Sequence, residues 1–142
     1  MFVFVYGTLK EGHGNNRLLR GCELVGQAII RDHELRNCGF PIAVKSNTSS
    51  ALGEVWKIPE DILSSTVANL DRLEGYRAHD PRSSMYTRET TQASLCSSLE
   101  DLEASEKVLV HYYLANPEYW DTHNHRLCQQ PEENLYEWNS SW

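Results

Sequence analysis

The apolar residues Phe2 to Val5 lead directly into Tyr6-Gly7-Thr8-Leu9, and Gly12, Gly14, Asn15 and Asn16 follow close behind. A strand this apolar is buried, so the loop at its end hangs from a rigid element, which is where open sheets and barrels keep their chemistry. Glycine in such a loop lets the backbone approach a ligand closely, and successive N–H groups can face an anion. A tight turn without a ligand accounts for the same residues. Two phosphate-binding patterns are excluded: Gly7 to Gly14 lacks the Gly-Lys-Ser/Thr ending of a P-loop and the third glycine of a dinucleotide fingerprint.

Glu74 is the second candidate. It sits between Leu73 and Gly75 at the end of a helical pattern, where the helix dipole disfavours negative charge. That field, together with any burial, favours the protonated form and moves the pKa towards the range useful to a general acid or base. An exposed glutamate at a helix end is the plainer alternative. Asp71, three residues earlier, would share its face and repel it. A third group is His111, His123 and His125 with Asp121 nearby. The His-x-His spacing could support a metal, but His111 belongs to another element and no cysteine or carboxylate completes a pattern. No metal site is expected, and no Gly-x-Ser-x-Gly elbow supports a serine nucleophile.

The elements that must position these residues follow from periodicity. Residues 1–6 read as a buried strand, 7–16 as loop and Asn15 to Gly21 as the start of a short helical turn. Short runs at 23–30, 33–35, 42–45 and 51–58 alternate around turn signals and predict antiparallel strands. Then the period changes. Pro59 suits a first helical position, Glu60 and Asp61 a first turn, and Ile62, Leu63, Val67, Leu70 and Leu73 recur at helical spacing up to the stop at Gly75. Residues 83–95 and 107–115 read as strands, with an acidic surface excursion or short helix between them. From Asn116 the chain is polar but carries Tyr119, Trp120, Tyr136, Trp138 and Trp142, the composition of a tail that packs back on the body or on a partner.

Strands before and after one strong helix make an α+β domain built on a small curved or barrel-like sheet. A length of 142 residues suits a single domain, and 40% hydrophobic with 23% charged residues is ordinary for a folded chain. The net charge of −7, from 13 basic and 20 acidic residues, argues against a nucleic-acid partner. Residues 1–6 are too few for a signal-peptide core, and no stretch approaches the roughly 20 apolar residues of a membrane span. A cytoplasmic protein with no membrane contact is expected. Cys22, Cys38, Cys96 and Cys128 lie 16, 58 and 32 residues apart, which indicates neither a zinc site nor a disulfide framework.

Loop and helix together carry more than either alone. The stretches VYGTLKEGHGNNRLL at 5–19, GFPIAV at 39–44, GEVW at 53–56, LDRLEGY at 70–76, MYTRE at 85–89 and VHYYL at 110–114 stand in a fixed order and spacing. In this they resemble the γ-glutamylcyclotransferase-like family that includes the AIG2-like and γ-glutamylamine cyclotransferase proteins. The resemblance spans residues 1–116; residues 117–142 depart from the compact family pattern as an aromatic-containing extension that would pack on the domain, on a partner or on a second copy.

The resemblance implies a small mixed β-barrel with flanking helices, in which the Tyr-Gly-Thr-Leu loop and the glutamate of Glu-Gly-Tyr line one cavity. Carried over, Tyr6, Gly7, Thr8 and Leu9 would hold a glutamyl group and Glu74 would be the catalytic acid/base. Tyr86 matches the tyrosine of Tyr-x-Arg, and Tyr112 the later strand tyrosine. The implied reaction closes a γ-glutamyl amide on its own α-amine to give 5-oxoproline and a free amine, without cofactor. A pocket that binds without catalysis, or an interaction module using the Trp-rich tail, fits the same fold.

Overall fold

The structure is a computed structural model that describes residues 1–122 and 124–139. Phe2–Val5 forms β1, as its run of valine and phenylalanine predicts. The short alternating runs that follow fuse into two long strands, β2 at Glu23–Asn37 and β3 at Pro41–Lys57. Polar Arg31 and Asp32 look like a turn in the sequence, yet they are absorbed as a bulge: the register with β3 shifts between Arg31 and His33, and Asp32 takes φ 65°. The actual reversal lies at Cys38 to Phe40, where Gly39 has φ 99°.

Two further strands, β4 at Tyr86–Ser94 and β5 at Lys107–Ala115, pair antiparallel from Tyr86 opposite Ala115 to Ser94 opposite Lys107. The sheet runs β2-β4-β5-β1-β3, and the β2–β3 pairing closes it into a five-stranded barrel. Closure leaves no free edge within the ring. The β1–β5 pair is parallel and its neighbours antiparallel, so the sheet is mixed. Three short strands extend it: β6 at Arg126–Leu127 along β2, and β7 at Gln129–Glu132 along β8 at Leu135–Glu137, which lies parallel to β3.

The predicted helix divides in two. Pro59 keeps an extended ψ of 153°, so a 3-10 turn at Glu60–Ile62 precedes α1 at Leu63–Leu73. The short helical turn before Gly21 is a 3-10 turn at Asn16–Leu19, and the acidic excursion another at Leu99–Asp101. No helix among the described residues is long and apolar enough to cross a membrane.

Strand alternation sorts the apolar residues into separate clusters. One draws on all five barrel strands, with Phe4, Ile30, Val55, Ala93 and Val110, as a barrel interior must. The other places Val3, Val5, Ile58 and Tyr113 with Leu70 of α1. The outer side of β2 and β3 carries a third, Ile29 and Leu52 with Leu102 and Leu135. With both faces of β3 covered there, its residues Ser49 to Gly53 are all buried, and the polar/apolar alternation of that stretch is correspondingly blurred.

At Gly53 the barrel wall leaves no room for a side chain. A Cβ at this position would lie 2.4 Å from the Val5 carbonyl oxygen and 2.7 Å from the Phe4 ring. Gly53→Ala is therefore expected to destabilise the fold by about 2–3 kcal/mol, read as a lower urea midpoint at unchanged slope.

Candidate active site

Helix α1 ends in a hydrogen-bonding pattern that fixes Glu74 in place. The Gly75 N–H donates to the Arg72 carbonyl at 3.3 Å and the Tyr76 N–H to that of Asp71 at 2.9 Å, with Gly75 at φ 63°. This is the Schellman closure, and glycine suits the left-handed position. The Gly75 carbonyl then accepts from the Met85 N–H at 3.1 Å, tying the helix end to the start of β4.

The loop after β1 is fixed as firmly. Lys10 N–H donates to the Gly7 carbonyl at 3.0 Å, Asn15 bonds Thr8 through both backbone (3.0 Å) and side chain (2.8 Å), and Asn16 Nδ2 donates to the Leu9 carbonyl at 2.8 Å. Buried Lys10 donates through Nζ to the Trp138 carbonyl at 2.7 Å, and the His13 and Trp138 rings pack at 5.4 Å. Gly7 has a steric reason beyond ligand access: a Cβ there would lie 2.5 Å from the Pro41 ring. Among the described residues, the N–H groups of Gly7, Thr8 and Leu9 donate to no protein acceptor.

Between these two fixed points lies a cavity of about 280 Å³. Tyr6 to Leu9 and Asn15 line it from the loop, Phe40 from the β2–β3 turn and Pro41 from the start of β3, Leu73 and Glu74 from the helix end, Met85 from just before β4 and Tyr86 from its first position, and Tyr113 from β5. Tyr6, Gly7, Thr8, Leu9, Glu74 and Tyr86 thus converge on one space. Tyr112 does not. Its hydroxyl bonds His33 Nε2 at 2.6 Å inside the barrel, and the two rings pack edge to face at 5.0 Å. The reason is strand parity: Arg88 pairs with Tyr113 and Glu89 with Tyr112, so Tyr113 shares the face of Tyr86 while Tyr112 points the opposite way. Tyr113, which sequence reasoning missed, is identified by its register with β4, and the strand sequence alone does not carry that register.

The cavity's side chains divide by acidity. Tyr6 donates to the Tyr113 carbonyl at 2.5 Å, Tyr86 to the Pro41 carbonyl at 3.0 Å, and the Tyr113 hydroxyl to Asp71 Oδ1 at 2.6 Å. Burial first holds all three phenols above their ordinary values, reinforced by Glu74 at Tyr6, by Tyr6 and then Glu74 at Tyr86, and by Asp71 at Tyr113, so they stay neutral. Glu74 behaves differently. It is half-buried, and loss of solvent alone pushes its carboxyl from 4.5 up to about 7. The shift comes from burial and not from Asp71, whose carboxylate accepts from the Tyr113 hydroxyl at 2.6 Å and pairs with Arg88 Nε at 3.3 Å. The cavity therefore holds one group that can gain and lose a proton near neutrality.

The histidines stand elsewhere. His111 lies on β5 and His125 near the Trp120 ring at 6.1 Å, whereas His123 is outside the described residues. Among the described residues no group of three His, Cys, Asp or Glu is arranged to hold a metal ion. The tail supplies structure around the cavity: Trp120 donates through Nε1 to the Met85 carbonyl at 2.9 Å and meets the Phe40 ring edge-on at 5.8 Å. Tyr136 and Trp138 are buried with the barrel-side core, and Trp142 is outside the described residues.

Comparison with known proteins follows the same outline. The sequence model of the family described as Gamma-glutamyl cyclotransferase, AIG2-like, matches residues 3–139. Gamma-glutamylcyclotransferase family protein YtfP of Escherichia coli (strain K12) is 35% identical over 74 residues, which cover 51% of this chain and 61% of that protein. A Vibrio cholerae protein named putative gamma-glutamylcyclotransferase is 36% identical over 73 residues, covering 51% and 60% respectively. The chain thus spans less than two thirds of these relatives. The crystal structure of an AIG2-like protein from Mus musculus shares the fold at TM-score 0.61 and 19% identity, covering 92% of this chain and 97% of that one.

A carboxyl whose ionisation is resisted by burial leaves a mark on stability. Folded and unfolded Glu74 are both neutral below about pH 4, so no penalty exists there; between 4.5 and 7 the unfolded state ionises first, and stability falls until both forms are charged. Glu74→Gln lacks this penalty. It is expected to be more stable than the parent by about 1–3 kcal/mol at pH 8, with the difference shrinking towards zero at pH 4, as read from urea melts at both pH values.

Proposed function

The chain belongs to the gamma-glutamyl cyclotransferase, AIG2-like family, and on that premise we propose that it cyclises a γ-glutamyl amide to 5-oxoproline with release of an amine, using Glu74 as general acid/base. The observation that carries the proposal is that one cavity is lined both by a carboxyl titrating near 7 and by Gly7, Thr8 and Leu9, whose backbone amides donate to no acceptor among the described residues.

The substrate holds its own nucleophile. Its α-nitrogen lies a five-membered ring closure from the γ-carbonyl carbon, so folding the glutamyl chain supplies a high effective molarity and no enzyme nucleophile is required. Ionised Glu74 takes a proton from the α-ammonium group, and the freed amine attacks the γ-carbonyl. The carbonyl oxygen gains negative charge as the C–N bond forms, and the amides of Gly7, Thr8 and Leu9 are the donors available to stabilise it. Protonated Glu74 then delivers its proton to the departing nitrogen as the amide C–N bond breaks. Over a turnover the α-nitrogen loses two protons and the leaving amine gains two, so no water is consumed and no net proton is released.

The surrounding groups suit this division of labour. Neutral Tyr6, Tyr86 and Tyr113 shape and dry the cavity without competing as bases. A pKa near 7 lets one carboxyl serve as base before attack and as acid after it. Four free cysteines among the described residues suit a reducing compartment, and the cytoplasm is where we place the reaction.

The test is 5-oxoproline formation from a panel of γ-glutamyl amides. Turnover is expected, with kcat/KM rising as pH increases through about 7, because free-enzyme Glu74 must be ionised to act as base. Glu74→Gln should lower kcat by about 100- to 10,000-fold while circular dichroism stays unchanged. A variant that retains full turnover would remove Glu74 from the mechanism, and no turnover by the parent on any amide would reduce the cavity to a binding pocket.

A further inference from the structure

Opposite half-exposed Thr8 and Asn15 of the loop, the exposed part of the cavity lining is apolar and held from behind. Phe40 and Leu73 supply it while remaining 36% and 38% exposed, and Met85 completes the rim. Phe40 sits at the β2–β3 turn against the edge of Trp120, whose indole N–H is tied to the Met85 carbonyl. Leu73 is the last residue of α1, immediately before the capped helix end. Such rim residues are fixed features of the site rather than loose surface hydrophobics.

Charge is distributed with equal economy. Among the described residues, Glu74 is the one charged side chain lining the cavity, and no Lys, Arg or His lines it. Arg88 is engaged elsewhere, paired with Asp71 and stacked over the Tyr76 ring at 5.6 Å. Glu74 and the loop amides are committed to the glutamyl part of the substrate in the reading above. Arg17, exposed beside the loop, is held by the Gly14 carbonyl at 2.8 Å and Asn15 Oδ1 at 3.1 Å, so no charged side chain among the described lining residues is then left to meet a second ionic group on the leaving amine. A carboxylate or ammonium brought against Phe40, Leu73 and Met85 loses solvent without gaining a partner.

We infer that the leaving group is an amine with no ionisable group other than the departing nitrogen itself, an alkyl- or arylalkylamine whose carbon skeleton sits on Phe40, Leu73 and Met85, rather than an amino acid, a lysine side chain or a polyamine. The inference rests on the proposed cyclisation for its chemistry, and on the rim alone for its selectivity. Binding of the amine's carbon skeleton contributes roughly in proportion to the apolar area it covers, whereas each unpaired charge subtracts.

The experiment compares kcat/KM for γ-glutamyl-benzylamide and γ-glutamyl-isopentylamide with that for γ-glutamyl-alanine and γ-glutamyl-ε-lysine. A preference of about tenfold or more for the apolar amides is expected; equal or higher values for the charged ones would overturn the inference. Phe40→Arg and Leu73→Arg each add a cation at an exposed rim position, and each should shift the ratio towards γ-glutamyl-alanine. An unchanged ratio in both variants would show that the rim does not select. If no amide turns over, the cyclisation reading fails by itself, and calorimetric binding of the same four compounds to Glu74→Gln still decides the selectivity. Tighter binding of the apolar pair upholds it, and equal or weaker binding refutes it.

Discussion

Holding the Glu74 carboxyl away from water, with no cation beside it among the described residues, costs free energy that the rest of the fold has to supply. Left to itself a side chain at a helix end would turn out to solvent. Here the Schellman closure at Gly75 and the bond from Met85 to the Gly75 carbonyl leave the helix terminus a single course, against the start of β4. The barrel behind β4 is closed by the long β2–β3 pairing, so the wall facing Glu74 cannot open without breaking the ring. Rigidity of the scaffold is converted into a shifted proton affinity at one atom pair.

The opposite wall depends on close approach rather than on charge. Pro41 stacks where a side chain on Gly7 would stand, and Gly53 brings Val5 and Phe4 against β3. These contacts align the end of β1, and the internal bonds of Asn15 and Asn16 hold the loop's shape. The C-terminal strands belong to the same construction. Trp138 receives the Lys10 ammonium at its carbonyl and packs on His13, while Trp120 stands behind Phe40 and Tyr86. Residues far apart in the chain thus bear on both sides of one cavity.

Much of this was legible in the amino-acid order, and the limits have physical causes. The β1 strand, the helix before Gly75 and the strand at 107–115 stand out because their periodicity and composition agree. The family resemblance, with its mixed barrel, followed from motifs spread along the chain, and the convergence of Tyr6, Gly7, Thr8, Leu9, Glu74 and Tyr86 agrees with it. What the pattern concealed was tertiary. Asp32 resembles a turn because a bulge and a turn use similar residues, and only pairing with β3 distinguishes them. Adjacent Tyr112 and Tyr113 were ambiguous because facing depends on register with β4, not on the strand itself. The separation of Asp71 from Glu74 required knowing that Arg88 and the Tyr113 hydroxyl reach Asp71.

The central claim is that burial alone holds the Glu74 carboxyl in play near neutral pH. Its most direct test is a ¹³C NMR titration of the Glu74 carboxyl carbon in the ligand-free protein, assigned by comparison with Glu74→Gln. A midpoint of about 7 is the result predicted. A midpoint in the ordinary glutamate range near 4.5 would contradict the claim, because the carboxyl would then be solvated and fully ionised throughout the range in which it is asked to carry a proton.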